Sequence, residues 1–172
     1  ACGSDHPKQD ETPPSLAVAQ EDSEPIDSAT AELIYREAVT AVRTRHAETG
    51  EYIYLNEDIK LVEQSLELKP GYLEAMEVLS WVYSTYPTYV DDDSSHEIAL
   101  EYALEVFRVN GEVDVAAYEI LAAAYYSNGQ LTLGDQFFDH AIERARDDET
   151  AEFYRLEKES LQELHKIKLA QP

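Results

Sequence analysis

Residues 113–148 carry the pattern that most constrains the fold, because two apolar helical faces follow each other across a short break. The first face repeats with the spacing of one side of an α-helix and consists of Tyr118, Leu121, Ala122 and Tyr125. Asn128-Gly129 comes next, and glycine adopts the left-handed backbone conformation that ends many helices. The second face consists of Gly134, Phe137, Phe138, Ala141, Ile142 and Ala145. We therefore predict two antiparallel helices packed against each other.

The small residues of this pair predict a close contact between its helices. Ala122, Gly134 and Ala141 lie where the two helices must approach, and larger apolar residues fill the space around them. We expect the substitution Gly134→Ala to be tolerated or stabilising, because alanine has the better helix propensity by about 1 kcal/mol. Gly134→Leu is expected to overpack the contact, at a cost of about 1–3 kcal/mol.

The pair resembles a tetratricopeptide repeat, a helix–turn–helix of about 34 residues. The residues that match the family pattern are Tyr118, Leu121, Ala122, Tyr125, Gly129, Gly134, Phe138 and Ala141. Two positions depart from it, since the family usually has alanine where this chain has Gly134 and proline where it has Arg146. The resemblance implies an all-α fold in which such hairpins stack into a right-handed α-solenoid.

Two further hairpins are predicted before this one. The pattern of its first helix recurs earlier at the same relative spacing, in Met76, Leu79, Ser80 and Tyr83. The interval between the two copies exceeds the family period of about 34 residues, and residues 87–93 account for the extra length. Lys69-Pro70 resembles the end of a still earlier repeat, whose front half matches poorly. An array of about three hairpins meets the usual minimum for stability.

The predicted helix boundaries follow from glycines and capping residues. Gly50 is expected to end the first helix, and Asn56 is expected to cap the second. Residues 51–55 could form a strand by composition, but no partner strand is evident, so we interpret them as a connection. Ser94 and Glu97 have the spacing of a capping box and predict the start of a later helix.

The last segment predicts a terminal helix that opens at Thr150 and caps the final hairpin. Its apolar residues are expected to form one buried stripe, and they are Phe153, Leu156, Leu161, Leu164 and Ile167. The predicted helical domain therefore covers residues 28–172.

Residues 1–27 are predicted to form a disordered acidic tether, because they hold too few apolar residues to offset the entropy of ordering. Ala1-Cys2-Gly3-Ser4 resembles the cleavage site of a bacterial lipoprotein, in which the cysteine becomes the lipidated first residue. That resemblance implies a lipid anchor at Cys2, on the periplasmic side of the cell envelope. Gly3 stands where an aspartate would retain a lipoprotein in the inner membrane, which points to the outer membrane. An unmodified cysteine without a special role is the alternative.

The balance of charge narrows the class of partner. With 36 acidic against 13 basic residues and a formal charge of -23, the chain lacks the cations that nucleic acid phosphates require. We therefore expect no nucleic acid partner, whereas basic proteins, basic peptides and metal cations are permitted. A soluble halophilic scaffold, in which acidic residues serve solubility alone, is a second explanation of the same charge.

The sequence shows no constellation of catalytic residues, so we expect a non-enzymatic protein without a cofactor. None of the 5 histidines belongs to a metalloprotease-like pair, and no glycine-rich phosphate loop occurs. Residues 91–96 are the densest group of metal-binding side chains, and a metal-dependent hydrolase that uses this turn is the alternative function. Their spacing is not that of an EF-hand, which favours an ordinary solvated turn.

The tetratricopeptide resemblance implies a binding surface rather than an active site. In that family the first helices of successive hairpins line a concave groove that binds peptides. The groove positions carried over to this chain are Glu74, Glu77, Trp81, Ser84, Ala116, Glu119, Ala123 and Tyr126. They predict an acidic groove with two aromatic side chains, suited to a basic and partly apolar segment of a partner protein. The predicted function is a protein-binding adaptor tethered to the bacterial cell envelope, with packing between hairpins as the alternative role of Trp81.

Overall fold

A computed structural model of the chain describes residues 24–89, 92–111 and 113–170. These residues form seven α-helices and no strand, which confirms the predicted all-α class. The helices are α1 (Glu24–Thr49), α2 (Asn56–Leu68), α3 (Leu73–Thr85), α4 (Asp93–Asn110), α5 (Ala116–Ser127), α6 (Leu131–Arg144) and α7 (Asp148–Ala170). A short 3-10 turn, Pro87–Tyr89, lies between α3 and α4.

The helices pack in sequential pairs. α1 packs on α2, α3 on α4 and α5 on α6, which are the pairings of the three predicted hairpins. Neighbouring pairs are joined by contacts of α2 with α3 and by contacts of both α3 and α4 with α5. α7 follows the last pair and packs on α6 and α5. The arrangement is consistent with an array of helical hairpins that ends in a single helix.

Buried side chains hold neighbouring pairs together. Val62 and Leu79 belong to a cluster that joins α1 to α4. Phe138 lies in a second cluster, which joins α5, α6 and α7. Ala103 and Leu121 link α4 to α5. Because these clusters cross from one pair to the next, each pair depends on its neighbours for burial of its apolar faces.

Two hydrogen bonds also connect consecutive helices. Ser80 Oγ in α3 donates to the carbonyl oxygen of Ala99 in α4 at 2.8 Å. Asn128 Nδ2, at the end of α5, donates to the carbonyl oxygen of His96 in α4 at 2.7 Å. Both acceptors are backbone groups, so the helices approach closely where these small or short side chains lie.

The predicted ends of α1 and α5 are confirmed. Gly50 has φ +78° and Gly129 has φ +71°, both in the left-handed region that glycine adopts without strain. Residues 51–55 connect α1 to α2 without forming a strand, as predicted.

Asp92 caps α4, which corrects the capping box predicted for Ser94 and Glu97. The Asp92 carboxylate accepts hydrogen bonds from the N–H groups of Ser94 and Ser95, at 3.2 and 3.3 Å, and α4 begins at Asp93. A negatively charged acceptor is favourable at the positive end of the helix dipole, so the aspartate takes the capping position.

Two other helix starts also use an aspartate that the sequence analysis did not assign. Asp58 Oδ2 accepts from the N–H of Leu55 at 2.7 Å, so Asp58 rather than Asn56 satisfies the start of α2. α7 begins before Thr150, and Asp147 Oδ1 accepts from the Thr150 N–H at 2.8 Å. Thr150 therefore receives the cap and does not supply it.

Gly134 lies in the contact between α5 and α6, as predicted. The space that a side chain would need is filled by the ring of Tyr126. The expectation that Gly134→Ala is tolerated is therefore wrong, because the ring leaves no room for a methyl group.

The face that α7 turns to the core differs from the predicted stripe. The buried residues are Ala151, Tyr154 and Leu161. The exposed ones include Phe153, Leu156 and Leu164. Polar contacts with α6 accompany this orientation, since Lys158 Nζ donates to Asp139 Oδ1 at 2.7 Å and Gln162 Nε2 donates to Asp135 Oδ1 at 2.7 Å. Of the predicted stripe only Leu161 is buried, and the side chain of Ile167 lies outside the described part.

Several predictions concern the beginning of the chain. Cys2 and residues 1–23 of the predicted tether lie outside the described residues. α1 begins at Glu24, before the predicted domain boundary at residue 28. Within the described helices, none combines the length and the apolarity needed to cross a lipid bilayer.

Candidate functional site

A cleft of about 270 Å³ opens between α3, α5, α7 and the connection from α1 to α2. We call it the Trp81 cleft, and its walls consist of Tyr52, Tyr54, Glu77, Val78, Trp81, Glu119, Ile120 and Phe153. Most of these side chains are aromatic or aliphatic, and the two charged ones are carboxylates. A concave, largely apolar surface with a few polar groups is the usual form of a binding site.

The α3 wall of the cleft follows from helical spacing. One side of α3 forms this wall, because Trp81 follows Val78 by three residues and Glu77 by four. Leu79 and Val82 lie on the other side of the helix and are buried in the core. Trp81 is half-buried, and its ring meets that of Tyr86 edge-to-face at 5.5 Å between centroids. Trp81 therefore packs within the fold and also lines the cleft.

The opposite wall is an irregular segment that two side chains fasten to the helices. The Tyr86 hydroxyl accepts a hydrogen bond from the Tyr54 N–H at 2.8 Å and donates to the Tyr52 carbonyl oxygen at 3.2 Å. Arg45 Nε donates to the Ile53 carbonyl oxygen at 3.1 Å. These bonds satisfy the backbone of a segment that has no regular hydrogen bonding, and they hold two tyrosine rings at the cleft.

Glu119 is the most perturbed acid of the cleft. Burial raises its pKa, and the nearby carboxylates of Glu157 and Asp114 raise it as well. Together they bring the pKa of Glu119 to about 8. Among the described residues, its carboxyl group forms no hydrogen bond and no ion pair. A carboxyl with this pKa is largely protonated at neutral pH, since each pKa unit corresponds to a tenfold change in the ratio of its two forms.

Glu77 has a related environment on the other helix. Burial raises its pKa, the carboxylates of Asp114 and Glu74 raise it as well, and a 3.3 Å hydrogen bond from Asn110 Nδ2 opposes them. On α7, burial also raises the pKa of Glu157. The ion pairs among the described residues engage other carboxylates, so the acids around the cleft lack a cationic partner.

The structure brings part of the predicted groove together. Glu77, Trp81 and Glu119 line the same cleft, although they come from two different hairpins. Glu74 is exposed near the start of α3, and Ala116 is half-buried at the start of α5. The shared register of α3 and α5, inferred from the repeated pattern, is what allowed these residues to be grouped from the sequence.

The remaining predicted groove residues do not line the cleft. Ser84, Ala123 and Tyr126 are buried, with exposed fractions of 5%, 1% and 3%. Tyr126 faces α6, where its hydroxyl donates to Asp135 Oδ1 at 2.5 Å and its ring lies 5.9 Å from that of Phe138. We therefore leave these three residues out of the proposed binding surface.

Three aromatic wall residues were not predicted from the sequence, and they are Tyr52, Tyr54 and Phe153. The two tyrosines lie in the connection between α1 and α2, and Phe153 was assigned to a buried stripe. A signal for the tyrosines was present, because two aromatic residues in a short connection after a helix end are unusual in a purely solvated loop. Phe153 carried no such signal, since its exposure depends on the rotation of α7.

The turn at residues 92–96 does not present a metal site. Asp92 is engaged by its own helix, where its carboxylate accepts from the hydroxyls of Ser94 and Ser95 at 2.6 and 2.7 Å. These hydrogen bonds lower the pKa of Asp92 to about 2. His96 is buried, and Asp91 lies outside the described residues. No group of three or more potential metal ligands occurs in the described part of the chain.

The chain was compared with models of protein families, with curated proteins and with solved structures, and none of them matches it.

Proposed function

We propose that this chain is a non-enzymatic adaptor that binds a basic, partly apolar segment of a partner protein in the Trp81 cleft. The observation that carries the proposal is a cleft with aromatic walls whose carboxylates have no cationic partner among the described residues. Aromatic side chains give contact area at low entropic cost, and exposed acids attract a basic partner over a distance.

The sequential packing of hairpins supports this proposal. An array of helical pairs gives an extended surface for recognising another chain, and α3, α5 and α7 contribute to one cleft. The tetratricopeptide pattern in residues 113–148 leads us to propose further that the array is a right-handed solenoid. Binding of an extended or helical peptide across its hairpins is the corresponding mode of recognition.

We also propose that the adaptor is held at the bacterial cell envelope by a lipid at Cys2. The support is the sequence Ala1-Cys2-Gly3-Ser4 and the acidic, proline-containing segment that follows it. Mass spectrometry of the protein isolated from its own membranes tests this point. A Cys2 peptide without a lipid would refute the anchor and would leave the peptide-binding proposal untouched.

A selection from displayed random peptides tests the binding function without knowledge of the natural partner. We expect wild-type protein to enrich peptides that combine arginine or lysine with apolar residues. The same selection with Trp81→Ala is expected to lose this enrichment. The control is Leu133→Ala, which shortens an exposed apolar side chain on α6 that does not line the cleft, and it should retain the enrichment.

The proposal fails if the selected peptides are not basic, or if Trp81→Ala selects the same peptides as wild type while it stays folded. Circular dichroism and a melting curve of each variant establish that it is folded. The hydrolase alternative gains no support from the turn at residues 92–96, because Asp92 is engaged by its own helix and His96 is buried, which leaves Asp93 as the one exposed carboxylate of the described turn.

A further inference from the structure

The volume of the Trp81 cleft limits what it can hold. Pockets for drug-sized ligands measure about 300–1,000 Å³, so a cleft of about 270 Å³ lies just below that range. A cleft of this size admits the end of one long side chain. A partner segment can place that side chain here while the rest of the segment lies across the neighbouring surface.

The walls define the chemistry of that side chain. Trp81 and Phe153 face the cleft with Tyr52 and Tyr54, and the rings of these residues offer negatively polarised faces to a cation. The two charged wall residues, Glu77 and Glu119, are hydrogen-bond acceptors when ionised. A neutral apolar side chain would desolvate both carboxyl groups and would leave that of Glu119 without a partner, whereas a cation with several donors can satisfy both.

Several other titratable groups lie near Glu119. Glu77 lines the same cleft from α3, and Asp114 lies just before α5. Glu157 and Tyr154 face Glu119 from α7. Carboxyl groups therefore approach the cleft from α3, from the start of α5 and from α7, whereas Tyr154 is neutral because burial raises its pKa.

The basic residues next to the walls do not neutralise this field. They are Arg43, Arg45, His46 and Arg146. Arg45 is paired with the buried carboxylate of Asp58, and among the described residues no cation forms an ion pair with Glu77 or Glu119. The cleft therefore has room for a positive charge supplied by another molecule.

We infer that the Trp81 cleft is a pocket for one arginine side chain of the partner, held between aromatic rings and the carboxylates of Glu77 and Glu119. The inference rests on the proposed function and names the residue that anchors the bound segment. Arginine fits better than lysine, because the guanidinium group is planar, stacks on aromatic rings and is more weakly hydrated than an ammonium group. Transfer from water into a partly desolvated pocket therefore costs less free energy for arginine than for lysine.

Binding of a cation in the Trp81 cleft is coupled to the release of a proton from Glu119. Glu119 is largely protonated in the free protein at neutral pH, because burial raises its pKa to about 8. An adjacent guanidinium favours the ionised form, so binding lowers this pKa and releases a proton. Affinity is therefore expected to rise as the pH increases towards 8 and to level off above that value.

The test uses N-acetyl-arginine amide as the probe and N-acetyl-citrulline amide as its neutral counterpart of nearly the same shape. Trp81 is the only tryptophan of the chain, so its fluorescence and its indole N–H resonance report directly from the cleft. We expect the arginine probe to shift both signals in a saturable manner that strengthens with pH. The citrulline probe should shift neither at the same concentration.

Two variants of equal net charge show whether the arginine probe binds at the carboxyl group of the cleft. Glu119→Gln removes the carboxylate of the cleft and should weaken binding of the arginine probe about tenfold, the loss expected for one charge-assisted contact. It should also remove most of the dependence of affinity on pH. Glu143→Gln removes a carboxylate that is 71% exposed on α6, and it should bind as wild type does.

The arginine inference is overturned if citrulline binds as well as arginine, if both variants bind equally, or if the resonances that shift lie away from the cleft. Its failure is separable from failure of the adaptor function. If selected peptides bind the protein and lose affinity in Trp81→Ala, but replacement of each arginine in them has no effect, the arginine pocket is wrong and the adaptor function stands.

Discussion

The ring of Tyr126 occupies the space beside Gly134, where a Cβ atom would lie 2.7 Å from Tyr126 Cδ2 and 2.8 Å from Cε2. The ring has little freedom to move away. Its exposed fraction is 3%, and its hydroxyl is fixed by a 2.5 Å hydrogen bond to Asp135 Oδ1. The glycine in α6 and the tyrosine in α5 therefore form one close contact between the helices.

Gly134→Ala is expected to destabilise the protein. Overpacking of a close contact costs about 1–3 kcal/mol, and the better helix propensity of alanine offsets about 1 kcal/mol of this. Chemical denaturation measures the change in the free energy of unfolding. Gln136→Ala is the control, because Gln136 is exposed on the same helix and its replacement should change stability by less than about 0.5 kcal/mol. A Gly134→Ala variant as stable as wild type would show that the ring moves freely.

Asp58→Ala is expected to be more damaging than an ordinary loss of an ion pair. Asp58 is 2% exposed, and it both pairs with Arg45 and accepts from the Leu55 N–H at the start of α2. Removal of one partner of a buried pair costs about 3–5 kcal/mol, because the other charge is left without compensation. We expect the lower end of this range, since the Arg45 side chain is 24% exposed.

The matched control for that prediction is Glu105→Ala. Glu105 pairs with Arg108 on α4, but the two side chains are 40% and 69% exposed. Exposed pairs contribute about 0–1 kcal/mol, so this variant should melt close to wild type. Equal losses of stability in the two variants would contradict the structural role assigned to Asp58.

The rotation of α7 predicts opposite effects for two leucines of the same helix. Leu161→Ala should cost about 2–5 kcal/mol, because Leu161 is 7% exposed within the cluster of α5, α6 and α7. Leu156→Ala should have little effect on stability, because Leu156 is 57% exposed. Thermal melting of the two variants checks this difference. Equal destabilisation would indicate that the stripe predicted from the sequence is buried after all.

The helices and their pairing were predictable because local signals and tertiary contacts agree. Leu79 and Leu121 occupy equivalent places in two repeated patterns, and both are buried. Gly50 and Gly129 end helices at positions where only glycine is free of strain. Such features are read from neighbouring residues alone, so a single sequence is sufficient to identify them.

The cleft was predictable only in part, because it depends on how distant segments meet. Glu77 and Glu119 could be grouped through the common register of their helices. Tyr52 reaches the cleft only through the hydrogen bonds that Tyr86 makes to its segment, which no spacing in the sequence reveals. Phe153 lines it because α7 turns Ala151, Tyr154 and Leu161 to the core, and periodicity alone could not choose that rotation.

The raised pKa of Glu119 predicts that stability falls as the pH rises. A carboxyl with an ordinary pKa of 4.5 and a folded-state pKa of about 8 binds its proton more tightly in the folded chain. Its contribution to stability is fully present below 4.5 and is lost as the pH approaches 8. For one proton the slope is at most about 1.4 kcal/mol per pH unit.

Glu119→Gln isolates this contribution. The variant carries no proton to lose, so it should gain stability relative to wild type as the pH rises through that window. Glu143→Gln removes an exposed carboxylate and should follow the wild-type curve. Urea denaturation at a series of pH values measures both. Parallel curves for wild type and Glu119→Gln would contradict the raised pKa.

Rates of association and dissociation should distinguish the charged contacts of the proposed binding site from the aromatic contact of Trp81. Glu77→Lys combined with Glu119→Lys reverses the charge of the cleft and should mainly slow association with a selected basic peptide. The dependence of the association rate on salt should flatten as well, most clearly above pH 8 where Glu119 is ionised, because salt screens the long-range attraction that these acids supply. Trp81→Ala should mainly speed dissociation and cost about 2 kcal/mol or more if the ring is a hot spot.

Trp81 also packs against Tyr86, so its loss has a structural component that must be measured separately. Trp81→Phe is the matched variant, because it keeps an aromatic ring for packing and offers a weaker face for a cation. We expect its melting temperature to stay near that of wild type while its peptide dissociates faster. If Trp81→Phe binds as wild type does and Trp81→Ala loses affinity only as far as it unfolds, the ring serves the fold and the peptide binds elsewhere on the array.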